Sequence, residues 1–165
     1  MTLPVQRRLH AVAIAALAAL GVAALGALAT DLGPWYAGLK QPPWKPPDAW
    51  FGPAWTAIYA LTAVAAVQAW THATARRARD TVLAVASLNA ALNVCWSLLF
   101  FRLRRPDWAL IEVVPLGLSI VLMMFVFGRE SRLAAALLVP YLAWVAFAAA
   151  LNASVVRLNA PFGHG

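Results

Sequence analysis

The sequence predicts an all-α membrane protein, a bundle of five transmembrane helices whose first loop, rich in tryptophan and proline, forms a lid. Three observations carry this. Hydrophobic residues make up 63 % of 165 residues and charged residues only 12 %, against about 25 % charge in soluble domains. The charges are clustered, so that five long apolar runs remain between them, four without any charge and one carrying only Glu112. One stretch between the first two runs, residues 31–50, cannot be an ordinary membrane helix. The whole chain, 1–165, reads as a single transmembrane domain.

The first run covers about 11–29, long enough to span hydrocarbon at roughly 1.5 Å per residue. Arg7–Arg8 and the Ala27-Leu28-Ala29 ending also fit a cleaved secretory signal, but such signals have apolar cores of only about 7–15 residues. The spanning reading is preferred. Next comes the stretch holding Trp35, Tyr36, Trp44 and Trp50, with Pro42, Pro43, Pro46 and Pro47, and leading to Pro53 and Trp55. Each proline fixes φ, removes a backbone donor and restricts the residue before it. The loop is therefore stiff, and it presents flat apolar faces with polar N–H edges. It reads either as an interfacial aromatic anchor or as a structured lid over a pocket, the reading preferred here.

The second run, about 51–70, opens on Gly52-Pro53, with proline well placed in a first helical turn. The polar, basic segment Thr71–Thr81 follows. The third run, about 82–101, carries Asn89 and Asn93 one turn apart. The fourth, about 108–127, contains Glu112 and Pro115. The fifth, about 133–156, contains Pro140 and Asn152, and internal prolines kink membrane helices. Lys and Arg divide between the two ends almost evenly. Arg7, Arg8, Arg76, Arg77, Arg79, Arg129 and Arg132 share the N-terminal side; Lys40, Lys45, Arg102, Arg104, Arg105 and Arg157 take the other. Orientation is left open, with a slight lean to an inside N-terminus.

The net charge of +7 does not indicate nucleic acid, because the arginines sit in short clusters at helix ends, where they suit lipid headgroups. The single Cys95 excludes an internal disulfide or a cysteine metal cluster and is expected to be a small buried thiol. His10, His72 and His164 lie at run ends or tails with no second ligand at metal spacing, so no metal site is expected. Glu112 is expected to pair with the arginines of the preceding loop near the headgroups. No phosphate loop, nucleophile elbow or carboxylate pair is present.

Polar and aromatic groups in the apolar runs recur at helical spacing. Asn89, Asn93 and Trp96 share one face; Trp55 and Tyr59 are four apart; Trp144, Phe147, Ala148 and Leu151 form a stripe. Singly, each is explained by helix packing. Together, tryptophans on several helices below a Trp/Pro loop suggest a cavity for a flat aromatic ligand. Ala86 with Ala90, and Ala146 with Ala149, Ala150 and Ala153, are small-residue faces that suit a homodimer.

Three motifs resemble the translocator protein (TspO/MBR) family. The first is Trp35-Tyr36-Ala37-Gly38-Leu39, followed by Pro42, Trp44, Pro46-Pro47 and Gly52-Pro53-Ala54-Trp55. The second is Ala91-Leu92-Asn93 with Trp96 and Phe100-Phe101, then Trp108-Ala109-Leu110. The third is Pro140-Tyr141-Leu142-Ala143-Trp144 with Ala146-Phe147, Leu151-Asn152 and Arg157. The resemblance covers roughly residues 8–160. It implies a porphyrin-binding pocket, for protoporphyrin IX or haem as ligand rather than required cofactor, that also takes isoquinoline carboxamides. Trp35, Trp44, Trp55, Asn93, Trp96, Trp108, Trp144, Phe147, Ala148 and Leu151 are the ligand-binding residues it implies. It further implies a receptor or carrier, or a stress- and light-linked regulator, with a ligand-gated regulatory interaction protein as an alternative. The alanine- and arginine-rich usage suggests a bacterial source, and so a bacterial cell-envelope membrane. Trp55 and Trp144 match tryptophans implicated in light-dependent porphyrin breakdown and are the only catalytic candidates. Ala153 breaks the family's sterol motif although Arg157 is kept, which counts against sterol as a partner. Ser97-Leu98 replaces two prolines of animal members, so a straighter third helix is expected, and Trp50 stands one place late in the lid.

Overall fold

The structure is a computed structural model and describes residues 5–162. His164 and, as side chains, Arg7, Arg8 and His10 lie outside the described residues. The helices are α1 (Val5–Ala29), α2 (Pro34–Ala37), α3 (Phe51–His72), α4 (Arg76–Ser97), α5 (Pro106–Glu130), α6 (Arg132–Leu137) and α7 (Val139–Asn159). A 3-10 turn, Asp48–Trp50, leads into α3, and a π-helical turn, Leu98–Arg102, extends α4. Five of these units, with α6 and α7 counted as one, are long and apolar enough to cross a membrane. The chain is a multi-pass membrane protein.

Each span runs beyond its apolar run because helices continue into the headgroup layer on polar residues that hydropathy discounts. The segment Thr71–Thr81 is thus mostly helix. Its Arg79 donates to the Ala73 carbonyl at 2.9 Å and lies over the Trp70 ring. Pro34 and Pro106 sit in first turns, where the missing N–H costs nothing. Helix α5 runs unbroken through Pro115, whereas the fifth span breaks at Leu138, two residues before Pro140.

The third span does not stay α-helical to its end. After Ser97 it widens into the π turn, with Leu103 N–H donating to Leu98 O at 2.9 Å. The added residue re-aims Phe100 and Phe101, which pack on each other and on Trp96. Arg104, in left-handed conformation (φ 53°), reverses the chain into α5. Arg102 reaches back to donate to Leu28 O at 2.8 Å, satisfying a free carbonyl at the C-terminus of α1.

Helix α5 is the hub, packed on α3, α4, α6 and α7, while α1 leans on α3 and α4. At the end away from the first loop the bundle is filled: Ala65, Ala69, Val82, Met123, Phe127, Ala134 and Leu138 form a closed core. Ala65 and Ala69 on α3 leave room for Phe127 in this core. At the other end α3 and α7 meet through large aromatic side chains, Phe51 and Trp55 against Trp144, and a space stays open between the spans. The outer surface is apolar, with Leu28 70 % and Ile111 72 % exposed, as a lipid-facing surface requires.

Cys95 is exposed, not buried: the face of α4 opposite Asn89 and Asn93 turns outward. Glu112 is buried and both its carboxylate oxygens lack a partner. The expected ion pair does not form, because Arg105 is taken by Asp107 (Nε to Oδ1, 2.8 Å) and stacks 4.1 Å over Trp108. That carboxylate raises the Arg105 pKa.

Replacing Ala69, which has no free surface beside Phe127, by leucine overpacks the closed end. The variant is expected to lose about 1–3 kcal/mol, read as a lower thermal unfolding midpoint in detergent.

Candidate functional site

The open end of the bundle holds a cavity of about 830 Å³, within the range of small-molecule pockets. Its floor is a hydrogen-bonded bridge between three helices. Tyr59 of α3 donates to Asn93 Oδ1 at 2.8 Å, and Asn93 of α4 donates to the Tyr141 hydroxyl of α7 at 3.1 Å. One turn further down α4, Asn89 donates to Ser119 of α5 at 2.8 Å. Asparagines one turn apart thus bind α4 to three partners.

The walls are aromatic. Trp55 stacks on Tyr59 with ring centroids 5.3 Å apart and meets Trp144 edge-on at 6.3 Å. Phe51 caps Trp144 at 5.6 Å. Across the space stand Trp96 and Phe100, stacked at 5.2 Å, with Phe101. Ala148, Leu151, Asn152 and Val155 of α7 complete that side, and Ala23, Gly26 and Ala27 of α1 close the third. The indole N–H groups of Trp96 and Trp144 and the Gln41 amide nitrogen are buried donors without partners. Asn152, turned as its neighbours require, bridges Pro106 O (3.0 Å) and Leu110 N–H (3.1 Å), locking α7 to the first turn of α5.

The lid covers this end, with Tyr36, Gln41, Asp48 and Ala49 lining the cavity. Its backbone is clasped to the end of α7: Lys40 N–H donates to Asn159 Oδ1 at 2.8 Å, and Asn159 Nδ2 donates to Lys40 O at 2.9 Å. Within the lid, Tyr36 donates to Asp48 at 2.9 Å, and Lys45 pairs with the same carboxylate. Burial and the neighbouring carboxylate push the Tyr36 phenol well above its ordinary pKa, so it stays a donor.

Of the residues singled out from the sequence, Trp55, Trp96, Trp144, Ala148 and Leu151 line one cavity. Asn93 lies beneath it as the floor. Trp35 stands behind the wall, edge-on to Phe100 at 6.2 Å. Trp44 and Phe147 pack on each other at 5.8 Å outside it, Phe147 in a shallow apolar groove between α3 and α7. Trp108 is 47 % exposed on the outer face of α5. Sequence reasoning missed the contribution of α1, Gln41 and Asp48. The aromatic pair at the end of the third run was the legible sign of Phe100 and Phe101. Among the described residues no cluster of three His, Cys, Asp or Glu could hold a metal.

Comparison with known proteins agrees with this architecture. Residues 13–158 match the model of the TspO/MBR family. The chain is 37 % identical to the tryptophan-rich protein TspO of Archaeoglobus fulgidus over 89 % of its length and 94 % of that protein. It is 38 % identical to the translocator protein of Sus scrofa over 76 % of its length and 75 % of that protein. It is 34 % identical to the tryptophan-rich sensory protein of Cereibacter sphaeroides, over 76 % and 77 % respectively.

Replacing Asn93 by leucine removes both hydrogen bonds of the floor and strands two tyrosine hydroxyls. A loss of about 1–2 kcal/mol is expected, with Tyr59→Phe costing about half as much. Thermal unfolding in detergent measures both, and an unchanged midpoint for Asn93→Leu would show that the bridge carries no weight.

Proposed function

Because this chain belongs to the TspO/MBR family, we propose that it is a membrane receptor or carrier whose lidded cavity binds a tetrapyrrole. The observation that carries this reading is the wall itself. Trp55, Trp96, Trp144, Phe51 and Phe100 present ring faces and edges around one space of about 830 Å³. Flat conjugated rings pack on such surfaces in offset or edge-on geometry. The packed far end, closed by Phe127 and Met123, favours binding over conduction through the bundle. The alanine- and arginine-rich composition suits a bacterial cell-envelope membrane. Of the small-residue faces, Ala86 packs inward, whereas Ala146 and Ala150 are exposed one turn apart, so α7 offers the face for a homodimer.

A second reading, light-dependent porphyrin degradation, draws on one feature. Trp55 and Trp144 both line the cavity and touch each other. A photoexcited porphyrin against either indole would take one electron from it, leaving an indole radical cation and a porphyrin radical anion. Trp55 also stacks on Tyr59, which gives the oxidising equivalent a second ring to occupy.

Titration of the detergent-purified protein with protoporphyrin IX in the dark tests the first reading through saturable tryptophan quenching. Trp144→Ala is expected to weaken binding about tenfold, the effect of removing one aromatic contact worth roughly 1.4 kcal/mol. Absence of saturable quenching in the unmodified protein would sink the tetrapyrrole reading. Illumination of the complex tests the second: loss of the Soret band that slows in Trp55→Phe supports it, and unchanged loss in that variant counts against it.

A further inference from the structure

The lid contains a cation that the cavity wall screens from the cavity. The side chain of Lys45 is only 12 % exposed. Its ammonium lies 5.5 Å from the Tyr36 ring centroid and 6.0 Å from that of Phe51, and it pairs with Asp48. Those three partners, Tyr36, Phe51 and Asp48, all line the cavity. The ammonium therefore contacts three residues of the wall, although Lys45 does not itself line the cavity. Asp48 also accepts from the Tyr36 hydroxyl at 2.9 Å, so one carboxylate collects two donors of different elements, the α2 turn and the loop after it. A charge so little exposed needs a counter-ion and hydrogen-bond acceptors. Asp48 supplies them with a side chain that is itself 48 % exposed, so leaving is easy for it and costly for Lys45.

Resting on the tetrapyrrole reading, we propose that Asp48 is an internal stand-in for a carboxylate of the ligand. A flat ligand bearing a carboxylate displaces Asp48 from Lys45 and Tyr36, taking over the charge-assisted bond to the ammonium and the bond from the phenol. Asp48 swings to solvent, and the turn Asp48–Trp50 moves with it. The other edge of the lid stays held by the Asn159 clasp at Lys40. The latch thus makes the cavity selective for carboxylate-bearing over uncharged flat ligands. It also makes Asp48 a competitor that limits affinity.

The test measures dark binding of protoporphyrin IX and of its dimethyl ester to the full chain, to Asp48→Asn, to Lys45→Met and to the double variant. Exchange predicts that Asp48→Asn binds the free acid about fivefold tighter and Lys45→Met binds it about tenfold weaker. The ester should stay within about twofold throughout, which also shows that each variant is folded. In the double variant the gain from Asp48→Asn disappears, since nothing remains to compete for. If the gain persists without Lys45, Asp48 acts by repelling an anion, and the exchange is overturned. If acid and ester shift together, the pair only shapes the lid, and the exchange is overturned as well. If the unmodified chain binds the ester but does not discriminate the acid, this inference alone falls; if it binds neither, the tetrapyrrole reading falls and takes this one with it.

Discussion

A single carboxamide ties the bundle together at its waist. Asn93 accepts from Tyr59 on α3 and donates to Tyr141 on α7. In hydrocarbon no water competes for these groups, and an unmet partner has nowhere else to turn. The bridge sets the separation of α3, α4 and α7, and the rest of the molecule divides around it. Towards the loop Ala73–Ala75 the helices close on alanines and a filled core; towards the lid they diverge and leave a cavity. The same helices are thus a plug at one end and a vessel at the other. The change falls where side chains pass from Ala65 and Ala69 to Trp55, Trp96 and Trp144.

Lid and cavity are coupled through their own side chains, not through a hinge. Asn159, at the last turn of α7, holds the lid backbone at Lys40, while Tyr36 packs on Phe101 at 5.7 Å. Phe101 is aimed there by the π turn. A widened turn in one span, a carboxamide at the end of another and a phenol in the loop therefore determine where the lid rests. Arg104 joins them, its guanidinium 5.9 Å from the Trp35 ring, a distance at which cation–π attraction contributes. Proline stiffness makes the lid a defined object, and these contacts give it a position.

The polar residues inside the membrane do different work according to whether they are paired. Asn89, Asn93, Ser119 and Asn152 are each matched across helices. Glu112 is not. It lies on the buried stripe of α5 with Leu116 and Ser119, a face that spacing along the helix made visible. Its lack of a partner follows from Arg105 turning to Asp107 and Trp108. The side chain was legible and its surroundings were not.

From the sequence alone came the class, the five spans, the stiff loop and the aromatic residues that mark the site. Those depend on local quantities: hydropathy over a bilayer's thickness, proline's fixed φ, and side-chain spacing. Which face of each helix turns inward was decided only by the tertiary structure. Trp55, Trp96 and Trp144 face one space, Trp108 faces outward, and Cys95 is exposed although Asn93, two residues before it, is buried. The physical reason is that lipid is as apolar as the core. A spanning helix is hydrophobic all round, and periodicity shows which residues share a face without showing which face meets protein. Packing of small residues against large ones, and the few polar groups that must meet, make that choice.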